Sequence, residues 1–175
     1  MYTLEEHQYF MRLALEESKK AATVGEVPTG CIIVQPPAED APRHLRSRPA
    51  GKIVARAYNQ TEMLRDPTAH AEMLAITQAA AALGDWRLTG TILYVTKEPC
   101  CMCAGAIVLA RPACVVWGLS DPKRGGHSVF SILGHEGLNH RPDVLSGVLE
   151  EECKAVFQTF FRERRSSKEE RDARA

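Results

Sequence analysis

The chain has 175 residues, which is enough for one domain with a sizeable core and too few for two domains of ordinary size. Its 45% apolar and 25% charged residues are typical of a globular protein and exclude wholesale disorder and fibrous repeats. Because 22 basic residues balance 22 acidic ones, no global positive field attracts nucleic acid, and any such contact must depend on a local patch. We expect one domain over residues 1–165 and a polar tail over 166–175.

The first residues, "MYTLEEHQYF", are acidic and polar, whereas a secretory signal needs a basic start and an apolar run. No later stretch is apolar over a membrane-spanning length, so we predict a cytoplasmic protein without a membrane partner. Three of the six cysteines are crowded into one motif, and cytosolic cysteines serve metals or catalysis more often than disulfides. We expect the other three to be small core residues: Cys31, Cys114 and Cys153.

In the first part of the chain, apolar residues at helical spacing predict a helix that ends near Gly25. "GCIIVQ" predicts a short buried strand, and "KIVARAY" at 52–58 predicts a second strand. The insert between them, residues 36–50, is rich in proline and charge and predicts a long loop. That loop is either a mobile surface excursion or an arm that contacts substrate.

In the second part, a helix is predicted from about His70 to Leu83, followed by the strand "TILYVT", the helix "CMCAGAIVLA" and the strand "ACVVWG". Residues 149–168 predict a last helix with a polar end. Alternating strands and helices predict an α/β layered sheet with helices on both faces. In such sheets, functional residues lie where strands end and helices begin.

The motif "EPCCMCAGAI" at 98–107 contains the crowded cysteines. Residues three apart on a helix share a face, whereas neighbours are rotated by about 100°, so Cys100 and Cys103 can bind one ion together. Cys101 points elsewhere, and we expect it to pack as a small hydrophobic residue. Two thiolates are an incomplete zinc site, because zinc takes four ligands in structural sites and three plus water in catalytic sites.

"DPTAHAEML" at 66–74 supplies His70 as a third ligand, with Glu72 two positions later. The segment between the two motifs has room for a helix, a turn and a strand, which two neighbouring parallel elements need to bring their helix starts together. His-Ala-Glu followed by Pro-Cys-x-x-Cys is the signature of zinc-dependent nucleobase deaminases. With three protein ligands the fourth position falls to a water whose pKa the ion lowers, and Glu72 is the candidate for moving its protons.

Several segments, in order and along almost the whole chain, resemble the bacterial tRNA adenosine deaminase family: "GEVPTG", "YNQ", "DPTAHAEM", "LYVTKEPCCMCAGAIV", "GLNHR" and "FFRERR". The resemblance implies a three-layer α/β/α cytidine-deaminase-like fold around a mixed five-stranded sheet. It implies a homodimer with one Zn²⁺ per subunit, and conversion of the wobble adenosine in a tRNA anticodon loop to inosine.

The resemblance also implies roles for single residues. His70, Cys100 and Cys103 match zinc ligands, and Glu72 matches the proton shuttle. Asn59 matches a residue that hydrogen-bonds the flipped base, and Asp121 matches one that contacts the nucleotide backbone; a turn residue and a loop or cap residue are the alternatives. Near the chain end we expect substrate contacts from an aromatic and two basic residues, Phe160, Arg162 and Arg164.

Three alternatives stay open. The last helix can instead be amphipathic, with Val156, Phe157 and Phe160 in the core and its charges in solvent. The same chemistry can act on a free nucleobase or nucleoside such as guanine or cytosine, because "LARPAC" and "RGGHSVFSI" depart from the family pattern. From another functional class, the chain can be a non-catalytic binding module that zinc stabilises. Loss of the Glu72 carboxylate would not change the properties of such a module.

Overall fold

A computed structural model describes residues 2–37 and 51–172. Most of the predicted 36–50 loop and the end of the predicted tail lie outside these residues. The described helices are α1 Leu4–Thr23, α2 Thr61–Leu64, α3 Ala71–Leu83, α4 Cys101–Ala110 and α5 Glu150–Asp172, with a 3₁₀ turn at Ile132–Gly134. The strands are β1 Gly30–Gln35, β2 Lys52–Tyr58, β3 Ile92–Lys97, β4 Cys114–Leu119 and β5 Asp143–Leu145.

The strands form one mixed sheet in the order β2-β1-β3-β4-β5. β1 runs antiparallel to β2 and β3, whereas β3, β4 and β5 run parallel. The expected mixed five-stranded sheet is therefore confirmed. The two zinc motifs follow β2 and β3, and β1 lies between these strands. Since both flanking strands are antiparallel to β1, they are parallel to each other, and the helices that follow them still begin at the same edge.

Helices cover both faces of the sheet, as predicted. Along β1, Cys31 and Ile33 pack in one core cluster with α3 and α4, while Ile32 and Val34 pack in a second cluster with α1 and α5. This alternation follows from the two-residue period of a strand whose two faces are both buried. None of the described helices is long and apolar enough to span a membrane.

The three cysteines outside the crowded motif belong to these cores. Cys31 and Cys153 are buried, and Cys114 is half-buried against the second cluster. The packing role expected for Cys101 is wrong, because its side chain is exposed. It lies in the first turn of α4, rotated away from the face that carries the buried Cys103.

Gly30 lets α1 contact the start of β1 directly. A Cβ atom there would lie 2.1 Å from the backbone oxygen of Ala14 and 2.4 Å from the backbone nitrogen of Ser18. We expect Gly30→Ala to lower the free energy of unfolding by about 2–3 kcal/mol, because helix backbone cannot yield as a side chain does. Chemical denaturation measures this loss. Gly105→Ala is the control, since nothing lies within 4 Å of its added Cβ, and equal stability of the two variants would contradict the prediction.

Candidate active site

Three side chains with metal-binding atoms meet where α3 and α4 begin. His70 is the N-cap residue of α3, Cys100 is the N-cap residue of α4, and Cys103 follows within α4. His70 Nδ1 lies 3.6 Å from Cys100 Sγ and 3.4 Å from Cys103 Sγ. Bonds of about 2.1 and 2.3 Å at tetrahedral angles around zinc place ligand atoms roughly 3.6 Å apart. The three predicted ligands therefore lie at separations that suit one zinc ion.

The electrostatics of these groups suit a soft cation. The pKa of the Cys100 thiol is lowered to about 3, first by its hydrogen bond with Cys103 and then, against the effect of burial, by His70. The same sulfur–sulfur hydrogen bond, together with burial, raises the pKa of Cys103. The hydrogen bond to Cys100 raises the pKa of His70. A thiolate beside an imidazole and a second thiol favours zinc over harder metals.

Glu72 lies in the first turn of α3, two residues beyond His70, and is only 3% exposed. Its Oε2 atom is buried and has no hydrogen-bond partner among the described residues. Burial raises the pKa of this carboxyl group, and attraction to His70 offsets only part of the effect. A buried carboxylate with an unused oxygen beside the metal ligands is placed to take up and return protons.

Asn59 has its side-chain amide oriented by two neighbours. Its Nδ2 donates to Thr61 Oγ1 at 2.8 Å and lies 3.5 Å from Glu26 Oε2. Glu26 is 1% exposed and also accepts the backbone N–H of Met63 at 2.8 Å. Because a carboxylate only accepts hydrogen bonds, Nδ2 must face Glu26. The Asn59 Oδ1 atom, which has no hydrogen-bond partner within the described part of the chain, remains available to a ligand.

Residues 121–128, here called the clamp loop, are attached to the start of α4 by the buried Glu98. Glu98 Oε1 accepts the backbone N–H groups of His127 and Ser128 at 3.2 and 2.7 Å. Its Oε2 accepts the backbone N–H of Asp121 at 2.8 Å and the Ser128 hydroxyl at 2.9 Å. A Cβ on Gly125 would lie 2.4 Å from Glu98 Oε1. The glycine therefore permits the close approach of loop and carboxylate.

Glu98→Gln tests this attachment. An amide NH₂ would face at least one backbone N–H that now donates to a carboxylate oxygen, and the cost is about 1–3 kcal/mol. We expect faster amide hydrogen exchange at His127, Ser128 and Asp121 and a loss of stability of that size. Exchange measured by NMR is the readout. Glu136→Gln, at an exposed position, is the control, and unchanged exchange at all three amides would contradict the role of Glu98.

Asp121 is the first residue of the clamp loop. It is held by backbone groups of that loop and by Lys97, which the sequence analysis did not select. Its Oδ1 accepts the backbone N–H groups of Lys123 and Arg124 at 3.0 and 3.1 Å, and its Oδ2 pairs with Lys97 Nζ. Although burial acts in the opposite direction, these contacts hold the pKa of Asp121 below its usual value. Asp121 therefore stays charged and fixed beside the site.

A cavity of about 510 Å³ joins these groups, with lining residues that include His70, Glu72, Asn59, Lys97, Asp121 and Phe161. Phe157 lines it as well, and its ring lies 4.8 Å from that of Phe161. Phe160 is buried and does not line this cavity. It borders a separate surface groove that Ala22 of α1 also lines. Arg162 is exposed in an adjoining groove beside Phe157 and Phe161.

Arg164 is not among the cavity-lining residues. Its guanidinium lies 5.4 Å from the centroid of the Phe160 ring. Of the three residues predicted near the chain end, only Arg162 lies in a groove that Phe157 and Phe161 also line, although the ring centroids of Phe160 and Phe161 are 5.2 Å apart. The sequence analysis did not select Glu98, Lys97 or Phe157 for the site. The available signal for Lys97 and Glu98 was two consecutive charged residues where a buried strand ends, just before a metal-binding helix.

The comparisons with known proteins agree with this site. The family model for the cytidine and deoxycytidylate deaminase zinc-binding region matches residues 4–119. The chain is 45% identical over 166 residues to a tRNA-specific adenosine deaminase of Bacillus subtilis, and the match covers 94% of each protein. With the His-Cys-Cys group, the match indicates one zinc ion per chain.

Solved structures give the same result. A tRNA:A34 deaminase that performs A-to-I editing at the wobble position of transfer RNA is 40% identical, with a TM-score of 0.73. The match covers 85% of this chain and 98% of that one. A guanine deaminase from Bacillus subtilis is 34% identical over 65% of this chain and 64% of its own, with a TM-score of 0.53. The chain therefore belongs to the cytidine and deoxycytidylate deaminase family, in the group formed by the tRNA-specific adenosine deaminases.

Proposed function

We propose that this chain converts the wobble adenosine of a tRNA anticodon loop to inosine by zinc-dependent hydrolytic deamination. The observation that carries the proposal is the unpartnered Oε2 of buried Glu72 beside the zinc-ligand set of His70, Cys100 and Cys103. The relatives that match this chain over nearly its whole length are tRNA-specific adenosine deaminases, which favours tRNA as the substrate.

The reaction replaces the exocyclic amino group of adenine with oxygen. A C6–O bond forms with water, the C6–N bond breaks, and ammonia leaves. Zinc, when bound by the three ligands, supplies a Lewis acid that makes water a nucleophile near neutral pH. The Glu72 carboxylate takes one proton from the water and gives it to ring nitrogen N1. It then takes the second proton from the oxygen that has bound C6 and gives it to the leaving nitrogen, which departs as ammonia. Because burial raises the pKa of Glu72, the carboxyl group is suited both to accept and to release a proton during the reaction.

Other residues of the cavity hold the nucleotide. The substrate base must leave its stack to reach a buried carboxylate, because the reacting carbon is inaccessible within a helix. In this proposal Asn59 presents its free Oδ1 to the flipped base, and the fixed carboxylate of Asp121 accepts from the sugar–phosphate backbone. Phe157 and Phe161 form a wall on which a flanking base stacks, and Arg162 contacts a phosphate beyond it.

Arg164 and Phe160 stay predictions as substrate contacts. Phe160 is buried and borders a groove that Ala22 of α1 also lines. In this proposal it supports α5, and Arg164 reaches RNA only along the exposed side of that helix. Variants of these two residues are expected to change RNA affinity less than variants of Phe161, which lines the cavity.

We also propose a cytoplasmic homodimer. Leu109 on α4 is 69% exposed, and Phe130, just beyond the clamp loop, is 52% exposed. Contiguous exposed apolar patches mark protein interaction surfaces, and in this proposal the two side chains belong to one such patch. Sedimentation equilibrium distinguishes a dimer from a monomer, and a Leu109→Glu variant that remains as dimeric as the parent would place the interface elsewhere.

The proposal is tested with a short anticodon stem-loop RNA that carries adenosine at the wobble position. Purified zinc-loaded protein and its Glu72→Gln variant are incubated with this RNA and with a control RNA that has the adenosine one position away. Free adenine, guanine and cytosine are assayed alongside. We expect inosine only from the parent protein and only at the wobble position.

Each other outcome has a distinct meaning. Ammonia released from a free base, with no inosine in RNA, would overturn the tRNA substrate and favour the small-molecule deaminase. Zinc-loaded protein that is inactive on every substrate would favour the binding module. Equal inosine yield from parent and variant would remove Glu72 from the chemistry.

A further inference from the structure

Lys97 is a charged side chain that the chemistry above does not use. It is the last residue of β3, directly before Glu98, Pro99 and Cys100, so the sheet fixes its position relative to the zinc ligands. It lines the same cavity as Glu72 and Asn59, and its side chain is only 22% exposed. A lysine held partly out of water within a reaction cavity needs a physical reason.

The partners seen in the structure do not satisfy this ammonium group. Its Nζ pairs with Asp121 Oδ2 and lies 5.7 Å from the Phe157 ring centroid. No other partner is seen for it in residues 2–37 and 51–167. An ammonium group has three N–H donors, so donors remain for a ligand in the cavity. An ion pair of partly exposed groups contributes only about 0–1 kcal/mol, which is a weak reason to place a charge here.

The charge around the cavity indicates what that ligand is. Four glutamates contribute to the lining: Glu26, Glu62, Glu72 and Glu98. Together with Asp121 they would repel a phosphate. Lys97 is the least exposed of the lining lysines and arginines, because Lys123 and Arg124 are both exposed. Among the less exposed lining groups, the Lys97 ammonium is therefore the one that can attract a backbone phosphate when a base is delivered to Glu72. The aromatic pair of Phe157 and Phe161 lines the same cavity.

We propose that Lys97 binds a phosphate oxygen of the RNA backbone next to the target nucleotide and so makes the site prefer a nucleotide within RNA to a free nucleoside. The inference rests on the proposed tRNA function. Lys97 keeps its ion pair with Asp121, which holds the ammonium in place, and uses its free donors for the phosphate. The alternative is that the two residues form only a structural ion pair.

Binding separates these possibilities without turnover. In the Glu72→Gln background, the dissociation constant of the anticodon stem-loop is measured by fluorescence anisotropy from 50 to 300 mM salt. We expect Lys97→Met to weaken binding about tenfold at low salt and to reduce the slope of log affinity against log salt by about 0.7, the value for one lost phosphate contact on a single strand. Lys97→Arg retains the slope. Lys19→Met, at an exposed position on α1, is the matched control and leaves affinity unchanged.

Asp121→Asn distinguishes phosphate binding from a structural ion pair. A structural pair predicts that Lys97→Met and Asp121→Asn have equal effects and that neither changes the salt slope relative to Lys19→Met. Phosphate binding predicts that Asp121→Asn keeps the full slope, because the ammonium remains. In the Glu72-containing enzyme, Lys97→Met should lower kcat/KM about tenfold for the stem-loop RNA. It should have no further effect on a stem-loop in which the phosphate next to the target nucleotide is replaced by an uncharged methylphosphonate.

The outcomes also separate this inference from the proposed function. If the parent edits RNA but Lys97→Met matches the control in slope, the phosphate contact is overturned and the proposed function stands. If Lys97→Met lowers kcat/KM equally for the unmodified and the methylphosphonate stem-loop, Lys97 acts on the site as a whole and the contact is again overturned. If the parent forms no inosine in RNA, the proposed function fails and the inference falls with it.

Discussion

Replacing Glu72 by glutamine is expected to lower kcat on the stem-loop RNA by about 10²–10⁴-fold, the usual contribution of a general acid–base group. Glutamine keeps the size and polarity of the side chain, but its amide neither accepts the proton of water nor returns it to the base. Because Glu72 is not a member of the ligand set formed by His70, Cys100 and Cys103, the zinc content should stay at one ion per chain. Single-turnover kinetics and metal analysis on the same preparation check both parts.

Glu16→Gln, on the exposed side of α1, is the matched control and should keep the parent rate. A Glu72→Gln variant that loses both zinc and activity would show that the carboxylate supports the metal site rather than the proton transfers. A variant with full zinc and nearly full activity would require another proton acceptor, and the cavity-lining carboxylates would have to be tested in turn.

Local patterns predicted most of the fold. The buried strands β1, β3 and β4 are short apolar runs, and α3 and α4 begin within about one residue of their predicted starts because His70 and Cys100 end the preceding extended segments. β5 was not predicted from its own residues, since this strand of three residues has no fully buried side chain. Its existence followed only from the family resemblance.

Strand order could not be read from spacing. The spacing of the two zinc motifs predicted neighbouring parallel elements whose helix starts meet. It did not show whether the preceding strands are adjacent or separated by β1, which pairs with both β2 and β3. The interval between His70 and Cys100 is compatible with either arrangement, because both bring two helix starts to the same edge. The pairing of β1 with other strands decides between them, and that pairing depends on tertiary contacts rather than on local sequence.

The site could be predicted as far as its chemistry was local. The ligands His70, Cys100 and Cys103 and the proton-transfer residue Glu72 lie in two short motifs, His-x-Glu and Cys-x-x-Cys, that need only a helix start. Their roles were therefore visible before the fold. The cavity wall was not predictable, because it depends on the rotation of α5 against the sheet. Adjacent residues on a helix differ by about 100°, so Phe160 borders a groove beside Ala22 of α1 while Phe161 lines the cavity.

The neighbouring cysteines of α4 allow the metal site to be tested with a matched pair of variants. Cys103→Ser should weaken zinc binding by at least about 100-fold, because a serine hydroxyl remains protonated at neutral pH and is a poor replacement for a thiolate. Cys101→Ser makes the same chemical change two residues away at an exposed position outside the ligand set. It should bind one zinc ion and keep the parent rate.

Zinc titration against a competing chelator, with inosine formation measured on the same samples, gives both quantities. Zinc lost from Cys101→Ser but retained by Cys103→Ser would reverse the assignment and require α4 to begin in a different rotation. Zinc retained by both variants would show that the Cys103 thiolate is not needed to hold the ion, and the assignment of Cys103 as a ligand would be overturned.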